Sequence, residues 1–417
     1  MQNSTLRVAW RNIWRNKKRT LLAIGAIALG QLTLVFVNSL MAGSFNEMIK
    51  TVTGPLVGHV QIHHEEWREE RATDLYVDKL EEITTALQTL PQVKTVSPRL
   101  YAPALAASGE KTDEPADAEP AMIVGVDLDA ESGRGGLLGD LTANALPADR
   151  SVLVGKILAN RLGVKPGELL ALIGQDADGF PASDLYRIRG TVESSVDLVK
   201  TMGIVMSYEN ASEFLAMFDQ AHEIVVQGED YNDAETLSKQ IASLEAVKET
   251  EVLSWQEALP EFVRMINMKS WFDLVFLAIV FVAATAGIAN TSMMSTFERK
   301  HEFGMLLAMG ARPARIIRMV LVESVIIGLL GVALGSALGT TAVYITSQTG
   351  IDYAALGGSE AETVAYKGIS FSFIIYPQFE LRHVLYGLFA VTLTSILAAL
   401  WPAALAARLE PVEAMRT

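Results

Sequence analysis

Four long runs without a charged side chain constrain this chain more than any other feature. The uncharged runs cover residues 20–46, 274–297, 324–351 and 383–407 of the 417. An α-helix rises about 1.5 Å per residue, so roughly 20 residues cross a hydrocarbon core that is about 30 Å thick. Because lipid offers the backbone no hydrogen-bond partner, such runs cross as helices. The sequence therefore predicts four transmembrane helices.

Basic side chains near the ends of these runs predict how the chain is oriented. Residues 1–19 carry six Lys and Arg side chains and no acid, and 298–318 carries five, whereas 350–381 carries only Lys367. Positively charged loops stay in the cytoplasm during insertion. We therefore expect both termini and the 298–318 loop in the cytoplasm and the segment 44–270 outside. The first apolar stretch is too long for a signal peptide, so we expect it to be retained as an anchor.

The fold class that follows is a helical membrane protein with four transmembrane helices and a large α+β extracytoplasmic domain inserted between helices one and two. The predicted segments are a cytoplasmic amphipathic helix at 1–19, transmembrane helix one at 20–43, the outer domain at 44–270, transmembrane helix two at 271–297, a cytoplasmic loop at 298–318, transmembrane helix three at 319–346, an outer loop at 347–382, transmembrane helix four at 383–407 and a cytoplasmic tail at 408–417.

Alternating apolar residues and amphipathic patterns predict the elements of the outer domain. The predicted strands are 58–64, 96–101, 122–126, 151–154, 169–173, 186–190, 203–206, 223–226 and 251–253. The predicted helices are 80–90, 156–162, 212–218 and 233–244. The stretch 106–120 is rich in Pro, Asp and Glu, which is typical of a loop.

Charge and motif content narrow the class of function. The segment 44–270 holds 19 basic and 38 acidic side chains, net −19, and the remainder carries net +5, for a total of −14. This acidity argues against nucleic acid as a partner, and it serves either the solubility of the outer domain or the docking of a basic partner. The chain has no cysteine and no phosphate-loop, nucleophile-elbow or zinc-protease motif. We expect a non-catalytic chain with no metal and no cofactor of its own.

Of the six histidines, only His59, His63 and His64 cluster in the sequence. In an extended strand His59 and His63 share a face but lie about 13 Å apart, which is too far for one ion. We therefore expect a solvated strand end here rather than a metal site.

The cytoplasmic loop carries the most specific pattern in the sequence. Residues 297–316 read FERKHEFGMLLAMGARPARI, residues 401–416 read WPAALAARLEPVEAMR, and residues 6–20 read LRVAWRNIWRNKKRT. Together with the order of one helix, a large outer domain and three helices, these segments resemble the FtsX-like permease family of ABC transporters, the MacB/LolC/LolE superfamily. The resemblance implies a permease subunit that works with a separate cytoplasmic ABC ATPase dimer, which binds ATP and Mg, and with a second copy or paralogue of the permease.

In that family the segment after helix two is a coupling helix that seats in a groove of the ATPase, although a helix resting on lipid headgroups is an alternative. The residues implied in ATPase coupling are Glu298, Arg299, Glu302, Phe303, Met305, Leu306, Met309 and Gly310. An apolar stripe in the N-terminal segment is expected at the membrane interface and consists of Leu6, Trp10, Ile13 and Trp14.

Size and layout look like the lipoprotein-releasing permeases of this family, LolC and LolE, in the bacterial inner membrane. That resemblance implies transfer of a lipoprotein to a LolA-like periplasmic carrier, with Phe180 and Pro181 of the loop 174–185 as the carrier-capture site; a plain exposed hairpin is the alternative. Together with membrane lipid, the acyl chains would rest on helices one and two. The predicted substrate cavity consists of Leu32, Val35, Phe36, Ser39, Phe276, Ile279 and Val280. MacB-type efflux of drugs or peptides and an FtsX-like scaffold that activates a periplasmic hydrolase are the alternative functions.

Predicted helix three carries two further features. Glycines recur every four residues from Gly331 to Gly339, a spacing that lets another helix approach closely, either within the subunit or at a dimer seam. Near its cytoplasmic end lies Glu323, a carboxylate whose position in a membrane helix is costly unless it is paired. We expect an ion pair with Arg315 or Arg318.

Overall fold

The computed structural model describes residues 9–109, 118–132, 136–139, 150–353, 355, 363–366, 369–372 and 374–408. Leu6, Lys367, the centre of the polar stretch 106–120 and the C-terminal tail after Arg408 lie outside the described residues.

The chain forms long helices at both ends and a strand-rich region between them. The helices, in chain order, are α1 (Ala9–Thr53, with a 3-10 turn at Trp14–Asn16), α2 (Trp67–Glu70), α3 (Leu80–Gln88), α4 (Leu128–Glu131), α5 (Lys156–Leu162), α6 (Asp197–Met202), α7 (Tyr208–Leu215), α8 (Ala234–Ala242), α9 (Trp255–Ala258), α10 (Pro260–Glu298), α11 (Lys300–Ala308), α12 (Pro313–Thr349) and α13 (Leu381–Ala407). The strands are β1 (Val60–His63), β2 (Val93–Ser108), β3 (Glu119–Val126), β4 (Ser151–Gly155), β5 (Leu169–Gln175), β6 (Pro181–Val192), β7 (Gly203–Ser207), β8 (Glu223–Gly228), β9 (Glu251–Ser254), β10 (Ile351–Asp352), β11 (Thr363–Tyr366), β12 (Ile369–Ser372) and β13 (Ile374–Ile375).

Four of these helices, α1, α10, α12 and α13, are long and apolar enough to cross a membrane, which confirms the predicted number. We call them the membrane helices. Their ends lie beyond the predicted spans, except for the C-terminal end of α13, which is the predicted residue 407. The helix α1, for example, runs from Ala9 to Thr53, whereas the predicted transmembrane span was 20–43. The helical hydrogen-bond ladder does not depend on apolar surroundings and continues into the flanking polar residues. The change of polarity that locates a span therefore does not locate the end of its helix.

Small residues bring α12 close to α1. A methyl group added at Gly331 would lie 2.6 Å from Cγ2 of Ile27, and one added at Gly335 would lie 2.4 Å from the carbonyl oxygen of Ala28. These distances leave no room for a side chain, so the glycine spacing serves packing within this chain. The apolar core between the membrane helices includes Ile24, Ile27, Leu34, Val280, Ala284, Ile288, Ile327, Val332, Val391 and Ala398.

The outer domain is a separate compact unit that comprises the described residues of Glu47–Arg264 together with β11 and β12. Its nine-stranded sheet has the order β3-β7-β4-β6-β5-β2-β8-β1-β9, and β2 also pairs with β3. Six of the strands therefore close into a ring, while β8, β1 and β9 extend from β2. This is possible because β2 is long: it pairs with β8 through its first half and with β3 and β5 through its second half. Helices α5 and α7 cover one face of the ring and α6 packs on the other.

All nine predicted strands are present, but their ends differ from the prediction. The strand β2 extends to Ser108 and β3 begins at Glu119, so the prediction of a loop over 106–120 is wrong at both ends. Polar residues at a hairpin still share the backbone ladder of the two strands. The helix predicted at 212–218 is α7, which is capped earlier by Ser207 and ends at Ala216, where the backbone turns to a φ of 53°.

The prediction of a solvated strand end at the histidine cluster is also wrong. The side chain of His63 is fully buried in β1, because this strand lies between β8 and β9 rather than at an edge. Burial lowers the pKa of His63, which favours the neutral ring. The ring Nδ1 lies 2.8 Å from the carbonyl oxygen of His64.

Candidate functional site

The predicted coupling helix is present as α11, and its end explains a glycine of the sequence pattern. After α11 the backbone of Gly310 adopts a φ of 84°, a left-handed conformation that side chains with a Cβ disfavour. The N–H groups of Gly310 and Ala311 donate to the carbonyl oxygens of Leu307 and Leu306, both at 3.0 Å. Gly310 therefore ends the helix and reverses the chain toward α12.

One face of α11 is committed to packing inside the chain. The ring of Phe303 is fully buried against Ile316 and Val320 of α12 and against Ala399 and Ala403 of α13. The side chain of Phe303 therefore anchors α11 to the membrane helices, and the prediction that this side chain contacts the ATPase is wrong. Leu306 packs at the edge of the same cluster.

The opposite face of α11 presents two methionines. The side chain of Met305 is 43% exposed and that of Met309 is 76% exposed. Unbranched, polarisable methionine side chains adapt to the shape of a partner surface. These two residues, rather than the whole predicted set, form the exposed apolar part of the candidate coupling surface.

A buried ion-pair network lies where α10 meets α11. Arg299 is 7% exposed, and its Nη1 donates to both carboxylate oxygens of Glu323, at 2.8 and 2.9 Å. Its Nε donates to Glu302 at 3.1 Å, and its guanidinium lies 4.8 Å from the centre of the Phe303 ring. Glu323, which is 8% exposed, also accepts a hydrogen bond from Asn12 of α1 at 2.7 Å. The expected ion pair of Glu323 is present, but its partner is Arg299 and not Arg315 or Arg318.

The N-terminal part of α1 reaches the same network. Arg15 pairs with Glu302, and Arg19 donates to Glu298 at 3.0 Å. Burial raises the pKa of Glu302, but the hydrogen bonds from Arg15 and Arg299 outweigh it and hold this pKa below its usual range. We call Asn12, Arg299, Glu302 and Glu323, together with these two pairs, the cytoplasmic junction, after the side of the membrane on which the sequence pattern predicts them.

The predicted apolar stripe of the N-terminal segment is divided between two environments. Ile13 is buried in the core of the membrane helices, so the prediction that it lies at the membrane interface is wrong. Trp10 is exposed and packs edge-on against Trp14 with 5.9 Å between ring centres. A cavity of about 30 Å³ lies between this segment, α10 and α12, and polar side chains that include Thr20, Ser292 and Thr296 line it.

The predicted substrate cavity is not assembled as one surface. Val35 and Ser39 are fully buried in the chain, and Val280 packs 3.7 Å from the position of a Cβ at Gly30. Small residues on the facing helices draw these side chains inward, which the sequence pattern did not show. Ile279 is 57% exposed. Leu32, Phe36 and Phe276 are half-buried.

The predicted carrier-capture loop is the tip of a hairpin. Strands β5 and β6 pair as far as Gln175 and Pro181, so only five residues form the turn. The carboxylate of Asp176 accepts the N–H groups of Asp178 and Phe180, at 3.0 and 2.8 Å. This turn projects the Phe180 side chain, which is 66% exposed.

Sequence reasoning missed an exposed apolar strip beside this hairpin. Leu105 lies opposite Ile173 in the pairing of β2 with β5, and Leu185 follows on β6; all three side chains are exposed. They lie on the sheet face opposite the core residues Leu172 and Tyr186. The signal was present in the sequence, because these strands carry apolar residues on both faces instead of one.

Two family models match the chain. The FtsX-like permease C-terminal model matches residues 274–411, and the MacB-like periplasmic core domain matches residues 20–244, which is more than half of the 417. The chain belongs to the family of FtsX-like permeases with a MacB-like periplasmic core domain. This confirms the resemblance that the cytoplasmic pattern indicated, and the four long helices with an α+β outer domain agree with it.

Individual relatives match with different coverage. The macrolide export ATP-binding/permease protein MacB of Shewanella oneidensis is 34% identical over 134 residues, which are 32% of this chain and 17% of that protein. The lipoprotein-releasing system transmembrane protein LolE of Haemophilus influenzae is 22% identical over 454 residues, 99% of each chain. The solved periplasmic region of MacB from Actinobacillus actinomycetemcomitans has 15% identity and a TM-score of 0.34, over 51% of this chain and 95% of that one. The chain thus spans under a fifth of the length of the MacB relative.

Proposed function

We propose that the chain is the permease subunit of a mechanotransmitting ABC transporter that releases lipoproteins from the bacterial inner membrane to a periplasmic carrier. The likeness to LolE of Haemophilus influenzae carries this proposal, because it runs over 99% of both chains. A cytoplasmic ATPase dimer supplies the energy, and a second copy or a paralogue completes the permease. The basic side chains of 1–19 and 298–318 support an orientation with both termini in the cytoplasm and the acidic domain in the periplasm.

The ATPase docks on the exposed methionine face of α11. Met305 and Met309 fit a groove of a soluble partner, while Phe303 keeps the helix attached to its own chain. ATPase closure then displaces α11 and tilts the membrane helices. No atom of this chain takes part in ATP hydrolysis under this proposal.

The lipid part of the substrate rests on α10. Val275, Ile279 and Val282 are exposed at helical spacing and form an apolar stripe along this helix. Ile279 is the most accessible member of the predicted cavity. Acyl chains and membrane lipid compete for this stripe, since each buried CH₂ group contributes about 0.8 kcal/mol in either case.

The hairpin between β5 and β6 receives the carrier. Phe180 is a large apolar side chain at the tip of a polar turn, and the strip of Leu105, Ile173 and Leu185 extends the apolar surface across three strands. Aromatic anchors of this kind supply most of the affinity in small interfaces.

A matched pair of substitutions tests the coupling surface. Met305→Asp places an unpaired carboxylate in the docking groove, which costs several kcal/mol, so the ATPase should no longer co-purify from native membranes. Met305→Leu keeps the side chain apolar and should retain the ATPase. Equal recovery of the ATPase with both variants would contradict docking at this face.

A photo-crosslinker at Phe180 distinguishes release from efflux. The proposal expects a small soluble periplasmic protein in the cross-linked product. MacB-type efflux is the second candidate, because the identity to MacB is higher, 34%, over its shorter matched segment. A cross-link to an elongated membrane-fusion protein would favour efflux and contradict lipoprotein release.

A further inference from the structure

We infer that Arg299 is the positioning residue that fixes the coupling helix α11, with the adjoining end of α10, to α1 and α12, so that these elements move as one rigid body. This inference rests on the proposed coupling to an ATPase. A pull on α11 then tilts the membrane helices instead of bending the short connection between α10 and α11.

The position of Arg299 in the chain gives it this role. α10 ends at Glu298 and α11 begins at Lys300, so Arg299 is the single residue at the joint. Its side chain holds Glu302, on the first turn of α11, and both oxygens of Glu323 on α12. Because one planar guanidinium satisfies carboxylates on two helices, the angle between them cannot change unless a charged hydrogen bond breaks.

Burial makes this contact stronger than the other ion pairs at the cytoplasmic junction. Arg299 and Glu323 are almost fully buried, and the ring of Phe303 covers the guanidinium. A buried charge that loses its partner is left without water, which makes separation costly. The pair between Arg15 and Glu302 is exposed, and the separation of an exposed pair costs little free energy.

The network also includes the helices that would carry the movement outward. Asn12 joins α1 to Glu323, and one residue further along α12 the hydroxyl groups of Ser292 and Ser324 lie 2.7 Å apart, which joins α10 to α12. The helix α12 continues without interruption to Thr349. From Glu323 to Gln348 it rises by about 38 Å at 1.5 Å per residue, so a tilt at the cytoplasmic junction displaces its outer end.

The test follows this outer end in the complete complex. The chain contains no cysteine, so Gln348→Cys can be labelled with bimane, whose fluorescence reports its surroundings. The complex is purified from native membranes together with its ATPase, and the fluorescence change on addition of ATP is measured. In this background Arg299→Gln and Glu323→Gln remove the two charges one at a time, and Lys18→Gln removes an exposed charge from the basic N-terminal segment as a control.

We expect the ATPase to stay bound to both junction variants, because the methionine face is unchanged. The ATP-dependent fluorescence change should fall roughly two- to thirtyfold, the range in which residues between coupled sites act. The double variant should be no worse than either single variant, since both remove the same contact. Lys18→Gln should behave like the unsubstituted complex.

Each other result has a defined meaning. A full fluorescence change in Arg299→Gln with the ATPase bound overturns the inference, and so does loss of the ATPase, because Arg299 would then act in docking. If no ATPase co-purifies with the unsubstituted chain, the proposed function is contradicted, and so is the inference that rests on it.

A cross-link serves as the second measurement where the Gln variants do not insert. Arg19→Cys and Glu298→Cys, joined by a short bis-maleimide, tie α1 to the end of α10 without touching Arg299. If these elements move as one rigid body, the complex should keep its full ATP-dependent fluorescence change after cross-linking. Loss of the response on cross-linking would show relative motion within the junction and overturn the inference.

Discussion

The ring of His222 is held in one neutral form by its contacts in the outer domain. Its Nδ1 accepts the N–H of Tyr101 at 3.0 Å, and its Nε2 lies 2.9 Å from the carbonyl oxygen of Thr73, to which it donates. The indole of Trp67 stacks on the ring with 4.4 Å between centres. A second proton would sit on Nδ1 and remove the acceptor of Tyr101. Burial lowers the pKa of His222 to about 4, although the hydrogen bond to Thr73 acts in the opposite direction.

This pKa predicts a loss of stability in mild acid. The folded pKa lies below the unfolded value of 6.5, so the unfolded chain binds the proton first, and stability that is complete above pH 6.5 is lost as the pH falls toward 4. Between pH 7.5 and pH 5 the free energy of unfolding should fall by about 2 kcal/mol through this residue. Urea unfolding of the chain in detergent, followed by tryptophan fluorescence, measures it.

The matched control for this prediction is His222→Gln, which carries no titrating group. This variant should be less stable at pH 7.5 because a packed ring is lost. Its stability should depend less on pH over the same interval. An identical pH dependence in both proteins would show that His222 is not the group responsible.

A glycine permits close approach of two helices only where it faces the neighbouring helix. Gly335 of α12 and Gly287 of α10 differ in this respect and can be compared. A Cβ at Gly335 would meet the carbonyl oxygen of Ala28 at 2.4 Å and Cβ of Gln31 at 2.7 Å, whereas a Cβ at Gly287 of α10 would meet nothing within 4 Å. Both glycines lie inside long helices, so intrinsic helix preference favours alanine at both positions.

Gly335→Ala should therefore destabilise the membrane helices and Gly287→Ala should not. Forcing a methyl group into a packed contact costs about 1–3 kcal/mol, so we expect a lower thermal unfolding temperature in detergent for Gly335→Ala. Gly287→Ala should match the unsubstituted chain or exceed it slightly. Equal temperatures for all three proteins would contradict the packing of α12 on α1.

The sequence predicted elements better than it predicted partners. Alternation of apolar residues located the nine strands, because a sheet with a buried face imposes a period of two. The coupling helix was also predicted, but not which face is free: apolar residues occur all round α11, and only the contact of Phe303 with Ala399 and Ala403 separates the inner face from the methionines. In the same way, Glu323 has basic neighbours nearby in the chain, yet its partner is 24 residues away.

For the whole molecule, the excess of basic side chains at one end of the membrane helices predicts a fixed orientation. A reporter enzyme that folds only outside the cytoplasm should be active when inserted at Asp178, in the hairpin turn, and inactive when inserted at Gly310, after the coupling helix. Enzyme activity in intact cells, normalised to the amount of chain, measures this. Activity at Gly310 would reverse the orientation and remove α11 from the reach of a cytoplasmic ATPase.

Reconstitution tests the proposed function most directly. The complex is placed in liposomes with a fluorescent lipoprotein, and soluble acceptor carrier is added on the side of the acidic domain. We predict that ATP moves the lipoprotein from the liposomes to the soluble fraction, and that complexes with Met305→Asp or without ATP leave it in the membrane. ATP hydrolysis at a normal rate while the lipoprotein stays in the liposomes would contradict release as the function of this permease.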